Sequence, residues 1–185
     1  MQRRDALRVL SAAAFAPLLA PLTADERWIV GRRLHERLAQ GEAGRALSTT
    51  QLAQVRALAD AILPRTEVPG ALEVGAPEFV DLLLAEWYPA DERAQLLAGL
   101  DALERKCRQA QGGAFAELEP AGRTAFLAVV DGASGEPGSA EHAYQRVKQQ
   151  LVFGFLTAKP IAAIVNTTPI IPGRFDGCIP LGGSR

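Results

Sequence analysis

The chain has 185 residues, of which 20 are basic and 21 acidic, and its formal net charge is -1. Once an amino-terminal leader is set aside, this length predicts a single domain that is large enough to bury a core. The near-neutral charge, with no run of Lys or Arg after the leader, argues against a nucleic-acid-binding surface. Two cysteines do not make a disulfide-dependent scaffold.

The first 24 residues have the pattern of an export signal, in which a basic start precedes an uncharged run. That run is too short and too rich in proline to span a membrane well, which takes about 20 apolar residues. Arg3, Arg4 and Leu7 make this start similar to a twin-arginine leader, which delivers folded proteins to the envelope, although Ala6 stands where such leaders usually carry Phe. The alternatives are an ordinary secretion signal for unfolded chains and a buried amphipathic first helix.

Apolar residues recur at intervals of three and four along most of the chain, which predicts helices. Ser48 to Gln51 is a capping-box pattern that opens one of them, and Pro64 ends it because the residue before a proline is pushed out of the helical region. The predicted helices are Asp25 to Gln40, Ser48 to Leu63, Pro77 to Tyr88, Asp91 to Gln109, Pro120 to Val130, and a last long helix that opens at Ser139.

The chain changes character from Lys159 onward. Residues 167–180 contain three prolines and two glycines, which exclude a regular helix or a central strand. An irregular segment with this much Ile and Phe needs a surface to lie on, either its own domain or a partner. The predicted organisation is therefore all-α, with a leader (1–24), a compact domain of five or six helices (25–158) and an extended tail (159–185).

Residues able to carry out chemistry are few and scattered. His35 and His142 have no second metal ligand one helical turn away, so both are interpreted as surface or capping residues. The sequence has no haem-attachment motif, no dinucleotide-binding glycine pattern and no nucleophile elbow. The acidic residues Asp60, Asp81, Asp101 and Asp131 are interpreted as lying near helix ends or on polar faces, while a carboxylate pair assembled by the fold stays an alternative.

The two cysteines and the two tryptophans leave alternatives open. Cys107 and Cys178 would either pair in an oxidising compartment or remain separate thiols. Trp87 lies on an apolar stripe and is predicted to pack in the core. Trp28 fits either the core or a pocket for a partner.

Unusual turn sequences carry a family resemblance. Ile62 to Thr66 follows the pattern Ile-x-Pro-x-Thr, Pro69-Gly70-Ala71 comes shortly after it, and Pro77 to Asp81 follows Pro-x-Phe-x-Asp. With these motifs the chain resembles the gluconate 2-dehydrogenase subunit 3 family over most of its length after the leader, through Phe115 to Leu118 and beyond. It departs at residues 154–159, GFLTAK, where many relatives carry an aromatic Gly-Tyr-x-Thr-Ser-like patch.

The resemblance implies a small subunit that has no catalytic residues, metal or cofactor of its own. Its expected partner is a flavoprotein of the glucose-methanol-choline type that holds FAD and oxidises a sugar or sugar acid, often together with a cytochrome c subunit. A twin-arginine leader on the small subunit would carry the folded, flavin-loaded partner across the membrane. The candidate partner contacts are Trp28, Pro172, Arg174 and Phe175.

The expected location is the periplasm, with attachment to the inner membrane through the partner or through an uncleaved leader as an alternative. Residues 22–24, LTA, make a poor cleavage site of the small-x-small type. Two other functions remain open from the residues alone. One is a stand-alone helical binding or scaffold protein, and the other is a small envelope enzyme that uses scattered acids with His35 or His142.

Overall fold

The structure, a computed structural model, describes residues 23–165. This part of the chain contains seven α-helices and one 3-10 turn and has no strand, so the all-α prediction is confirmed. The helices are α1 (Ala24–Ala39), α2 (Thr49–Ile62), α3 (Ala76–Trp87), α4 (Ala90–Gln111), α5 (Pro120–Asp131), α6 (Ala140–Thr157) and α7 (Lys159–Val165), and the 3-10 turn is Phe115–Glu117.

Local sequence explains where the helices begin and end. The Ser48 hydroxyl accepts the Gln51 N–H at 3.2 Å, and the Gln51 side chain accepts the Ser48 N–H at 3.1 Å, so the predicted capping box of α2 is confirmed. Thr23 and Glu26 form a second capping box at the start of α1. Gly112 ends α4 with a φ of 77°, a left-handed conformation that favours glycine. These ends depend on neighbouring residues and not on the tertiary fold.

The seventh helix was not predicted. Ile161 is buried in α7 against Leu156 and Ala158, and the Ala162 N–H donates to the Ala158 carbonyl at 2.8 Å. The apolar run Ile161 to Val165 is too short for periodicity to separate a helix from other structures. Of the predicted extended tail, residues 159–185, the first seven are therefore helical.

Two groups of predicted residues lie outside the described part of the chain. One is the leader with Arg3, Arg4 and Leu7, and the other is the end of the tail with Cys178 and the predicted contacts Pro172, Arg174 and Phe175. The predictions made for these residues stay predictions.

Helix α6 is the centre of the described fold, because it packs against all six of the other helices. The Phe153 ring meets the Phe79 ring of α3 edge to face, with 5.5 Å between the ring centroids. The next residue, Gly154, permits the close approach of α3, since a Cβ at this position would lie 2.7 Å from Cδ1 of Phe79. The core forms around this helix, and the other helices take their positions from it.

Asp81 joins α3 to the loop that precedes α2. Its side chain is 8% exposed, and its carboxylate accepts the backbone N–H groups of Arg45, Ala46 and Leu47, each at 2.8 Å. Arg45 has a φ of 84°, and this left-handed conformation turns successive N–H groups toward one anion. The interpretation of Asp81 as a helix-end or polar-face residue is therefore wrong. A carboxylate can be buried where backbone donors replace its water.

We expect Asp81→Asn to destabilise the protein by about 1–3 kcal/mol, because the amide loses the charge and turns an NH₂ group toward backbone donors. Urea unfolding measures this change. Asp60→Asn is the matched control: Asp60 is exposed and pairs with Arg123 at 3.4 Å, so its replacement should cost less than about 1 kcal/mol. Equal losses in the two variants would contradict the role assigned to Asp81.

Candidate functional site

A groove with a volume of about 300 Å³ opens on the surface between α1 and the carboxyl end of α3. We call it the Trp87 groove. The residues contributed by α1 recur at intervals of three and four, so they share one face of that helix. The lining residues are Val30, Arg33, Leu34 and Arg37 from α1, with Glu86 and Trp87 from α3.

Trp87 is the aromatic side chain of this groove and is 38% exposed. The prediction that Trp87 packs in the core is therefore wrong. Trp87 is the last residue of α3, and the next residue, Tyr88, is 7% exposed and occupies the inward position. Helical periodicity does not determine burial where the chain leaves the helix. Trp28 is half-buried on α1 and is not among the lining residues.

Arg37 connects the two walls of the groove. Its guanidinium contacts both carboxylate oxygens of Glu86, and its Nε donates to Glu42 at 2.9 Å. The hydrogen bonds to Glu86 and Glu42 raise the pKa of Arg37, and the hydrogen bond from Arg37 lowers the pKa of Glu42. Arg33 is also exposed but makes no ion pair with another residue of 23–165. Of the two guanidinium groups at the groove, only that of Arg37 is offset by carboxylates of the described residues.

His35 holds α1 against the core. Its Nε2 lies 2.7 Å from the Gly154 carbonyl, and its ring stacks on Phe79 with 4.8 Å between centroids. Because a carbonyl can only accept, Nε2 carries the proton and donates. Burial lowers the pKa of His35, and the hydrogen bond to Gly154 opposes this shift. The interpretation of His35 as a surface or capping residue is wrong.

Gly31, one turn before His35 on α1, also lets α1 approach α6 closely. A Cβ at Gly31 would lie 2.6 Å from Cγ2 of Thr157 and 2.9 Å from Cζ of Phe153. Both side chains would have to move to admit a methyl group at this position. Gly31 and His35 together therefore set the position of α1 and, with it, one wall of the groove.

The other candidate residues lie away from the groove lining. His142 opens α6 and is half-buried, and its Nδ1 is buried without a hydrogen-bond partner. Cys107 is fully buried with its sulfur 3.7 Å from the Gly113 carbonyl, and desolvation raises the pKa of this thiol. A buried thiol with a raised pKa is a poor nucleophile. The two alternatives for Cys107 and Cys178, a disulfide or separate thiols, both stay open because residue 178 lies outside the described part of the chain.

The remaining acids make separate contacts. Asp60 pairs with Arg123, Asp101 accepts a hydrogen bond from Gln51 at 2.9 Å, and Asp131 accepts one from Tyr144 at 2.9 Å. Across residues 23–165 no group of three His, Cys, Asp or Glu side chains has the proximity needed to hold a metal ion. No helix in the same range combines the length and the apolar character needed to cross a bilayer.

These features define a small all-helical protein with an exposed tryptophan in a surface groove. The family model of gluconate 2-dehydrogenase subunit 3 matches residues 49–173. The chain belongs to that family, and the resemblance predicted from its turn sequences is confirmed. Neither the search of curated proteins nor the search of solved structures returns a match. The family match begins at the first residue of α2, so α1, which forms one wall of the groove, precedes it.

We expect α1 to loosen from the core as the pH falls. Because the folded-state pKa of His35 is lowered from its usual 6.5, its contribution to stability is fully present above that value. The contribution is then lost as the pH falls through the folded-state pKa, because protonation places a charge in an apolar contact. Fluorescence of Trp28 and Trp87, which lie on α1 and α3, reports this change at neutral and acidic pH.

His35→Gln keeps a donor for the Gly154 carbonyl but does not titrate, so it should remove the pH-dependent part of the fluorescence change. The control is His142→Gln, because burial lowers the pKa of His142 as well, yet this residue lies on α6. This control should retain the wild-type response. Wild-type fluorescence that does not depend on pH would contradict the expectation.

Proposed function

We propose that this protein is the non-catalytic small subunit of a flavin-dependent sugar or sugar-acid dehydrogenase, and that it escorts the catalytic subunit through twin-arginine export to the periplasm. The match to gluconate 2-dehydrogenase subunit 3 over residues 49–173 carries the proposal, since the family name describes a subunit of a dehydrogenase. In this complex a flavoprotein of the glucose-methanol-choline type holds FAD and performs the oxidation. A cytochrome c subunit is a further proposed partner.

The leader and the fold both support an escort role. The leader, with Arg3, Arg4 and Leu7, resembles the class of signal that exports folded proteins. Helix α1 begins at Ala24, the last residue of the predicted leader. A folded domain so close to an export signal would carry a bound partner along with it. The described residues also offer a surface suited to binding, the Trp87 groove.

Replacing both leader arginines tests the escort role. The double variant Arg3→Lys with Arg4→Lys keeps the positive charge but loses the paired guanidinium groups. We expect both this chain and the flavoprotein to remain in the cytoplasm, measured as dehydrogenase activity in separated periplasmic and cytoplasmic fractions. Arg8→Lys is the matched control and should leave export unchanged. Normal export of the flavoprotein with the double variant, or with residues 1–24 deleted, would contradict the role.

The tail gives a second test. If Phe175 is a buried anchor on the partner, Phe175→Ala should weaken the complex by about 2–4 kcal/mol, measured as the dissociation constant of the purified subunits. Leu181→Ala, in the same tail but outside the predicted contact, is the control. Circular dichroism of the subunit alone should show unchanged helicity. A loss of helicity would show instead that the tail belongs to this chain's own core.

A further inference from the structure

We propose that the Trp87 groove is the docking site for a segment of the dehydrogenase subunit that carries an apolar side chain next to a carboxylate. The inference rests on the proposed function and specifies the contact by which this chain would hold its partner. The apolar side chain of the docking segment would lie on the floor of the groove, and its carboxylate would bind Arg33.

The floor of the groove is apolar and partly uncovered. Leu34 is 2% exposed and closes the bottom, whereas Trp87 beside it keeps 38% of its surface in solvent. Ile29, one turn before Arg33 on the same face of α1, is an apolar side chain that is 47% exposed. Tryptophan is the residue type most enriched among the side chains that carry binding energy in protein interfaces. An apolar side chain in the groove would remove these surfaces from water.

The positive charge of Arg33 indicates that the second group on the docking segment is a carboxylate. The Arg37 guanidinium is already held by Glu86 and Glu42, whereas Arg33 makes no ion pair within residues 23–165. A guanidinium group binds a carboxylate through two parallel hydrogen bonds. This geometry requires a negative charge on the bound group and also fixes its orientation. A segment with a carboxylate beside its apolar side chain therefore matches the groove in both polarity and charge.

The walls of the groove are held in place before any partner binds. Gly31 and His35 position α1 on the core, and Arg37 bridges α1 to Glu86 on α3. A preorganised site loses less conformational freedom on binding than a site that must form first. The volume of about 300 Å³ is at the lower end of the range for small-molecule sites, roughly 300–1,000 Å³. This size favours a short peptide segment over a cofactor such as FAD.

The same charge argument disfavours the two other occupants, the chain's own tail and a second copy. Residues 166–185 do place the carboxylate of Asp176 beside Phe175, but Arg174 directly precedes this pair, so the segment would bring a like charge to Arg33 together with its one carboxylate. In a symmetric pair of copies that met groove to groove, the same patch of each copy would enter the interface, so the Arg33 charge would be present there twice, and like charges repel. The partner subunit is therefore the occupant that we infer.

Two substitutions in the full-length subunit test the groove against the flavin-loaded dehydrogenase subunit. Arg33→Glu should weaken binding by about tenfold or more, and Trp87→Ala by about thirtyfold, the loss typical of an interface anchor. Arg32→Glu makes the same charge change on the neighbouring residue of α1, which does not line the groove, and Val129→Ala trims a side chain on α5 that is 68% exposed. Both controls should bind like the wild type, and unchanged thermal unfolding of all four variants shows that the fold is retained.

Cross-linking identifies the occupant directly. Ile29→Cys in a Cys178→Ser background places an exposed thiol beside the groove for a photoreactive maleimide, while Cys107 stays buried. A cross-link to the dehydrogenase subunit supports the proposal, whereas a cross-link to residues 166–185 of the same chain or to a second copy overturns it. Wild-type binding by Arg33→Glu and Trp87→Ala also overturns it while leaving the proposed function intact. A wild-type subunit that does not bind the dehydrogenase overturns the proposed function itself.

Discussion

Gly154 has no side chain, and its small size lets α1 and α3 pack close to the central helix α6. The Phe79 ring occupies the space that a Cβ at Gly154 would fill, and the Gly154 carbonyl accepts the hydrogen bond of His35, whose ring lies on Phe79. One backbone position on α6 therefore places both walls of the Trp87 groove. A side chain there would separate these helices, and the groove would change with them.

Polar side chains in this protein serve mainly to hold helices and loops in position. Asp81 fixes the loop before α2 through three backbone hydrogen bonds, and Arg37 bridges α1, the same loop and α3. Such contacts make a rigid surface, which suits recognition of another chain. In the proposed complex this subunit supplies the surface and the leader, and its partner supplies the flavin.

The wrong predictions have a common cause. The interpretations of Trp87, His35 and Asp81 rest on residue type and on position along a single helix, yet the environment of each also includes a segment distant in the sequence. His35 meets a carbonyl on α6, Asp81 meets the loop before α2, and Trp87 lines a groove together with residues of α1. Periodicity describes one helix at a time and contains no information about which neighbour covers a given face.

The sequence by itself determined the all-α class, the starts of six helices and the ends of five of them to within two residues, and the family, because capping boxes, prolines, glycines and turn motifs act through residues close in the chain. Only the tertiary structure decided that His35 is half-buried against α6, that Asp81 binds a loop and that Trp87 faces solvent in a groove. It also revealed α7, whose seven residues form a helix over the apolar surface of Leu156. These outcomes depend on contacts between residues far apart in sequence, and such contacts exist only after the helices have packed around α6.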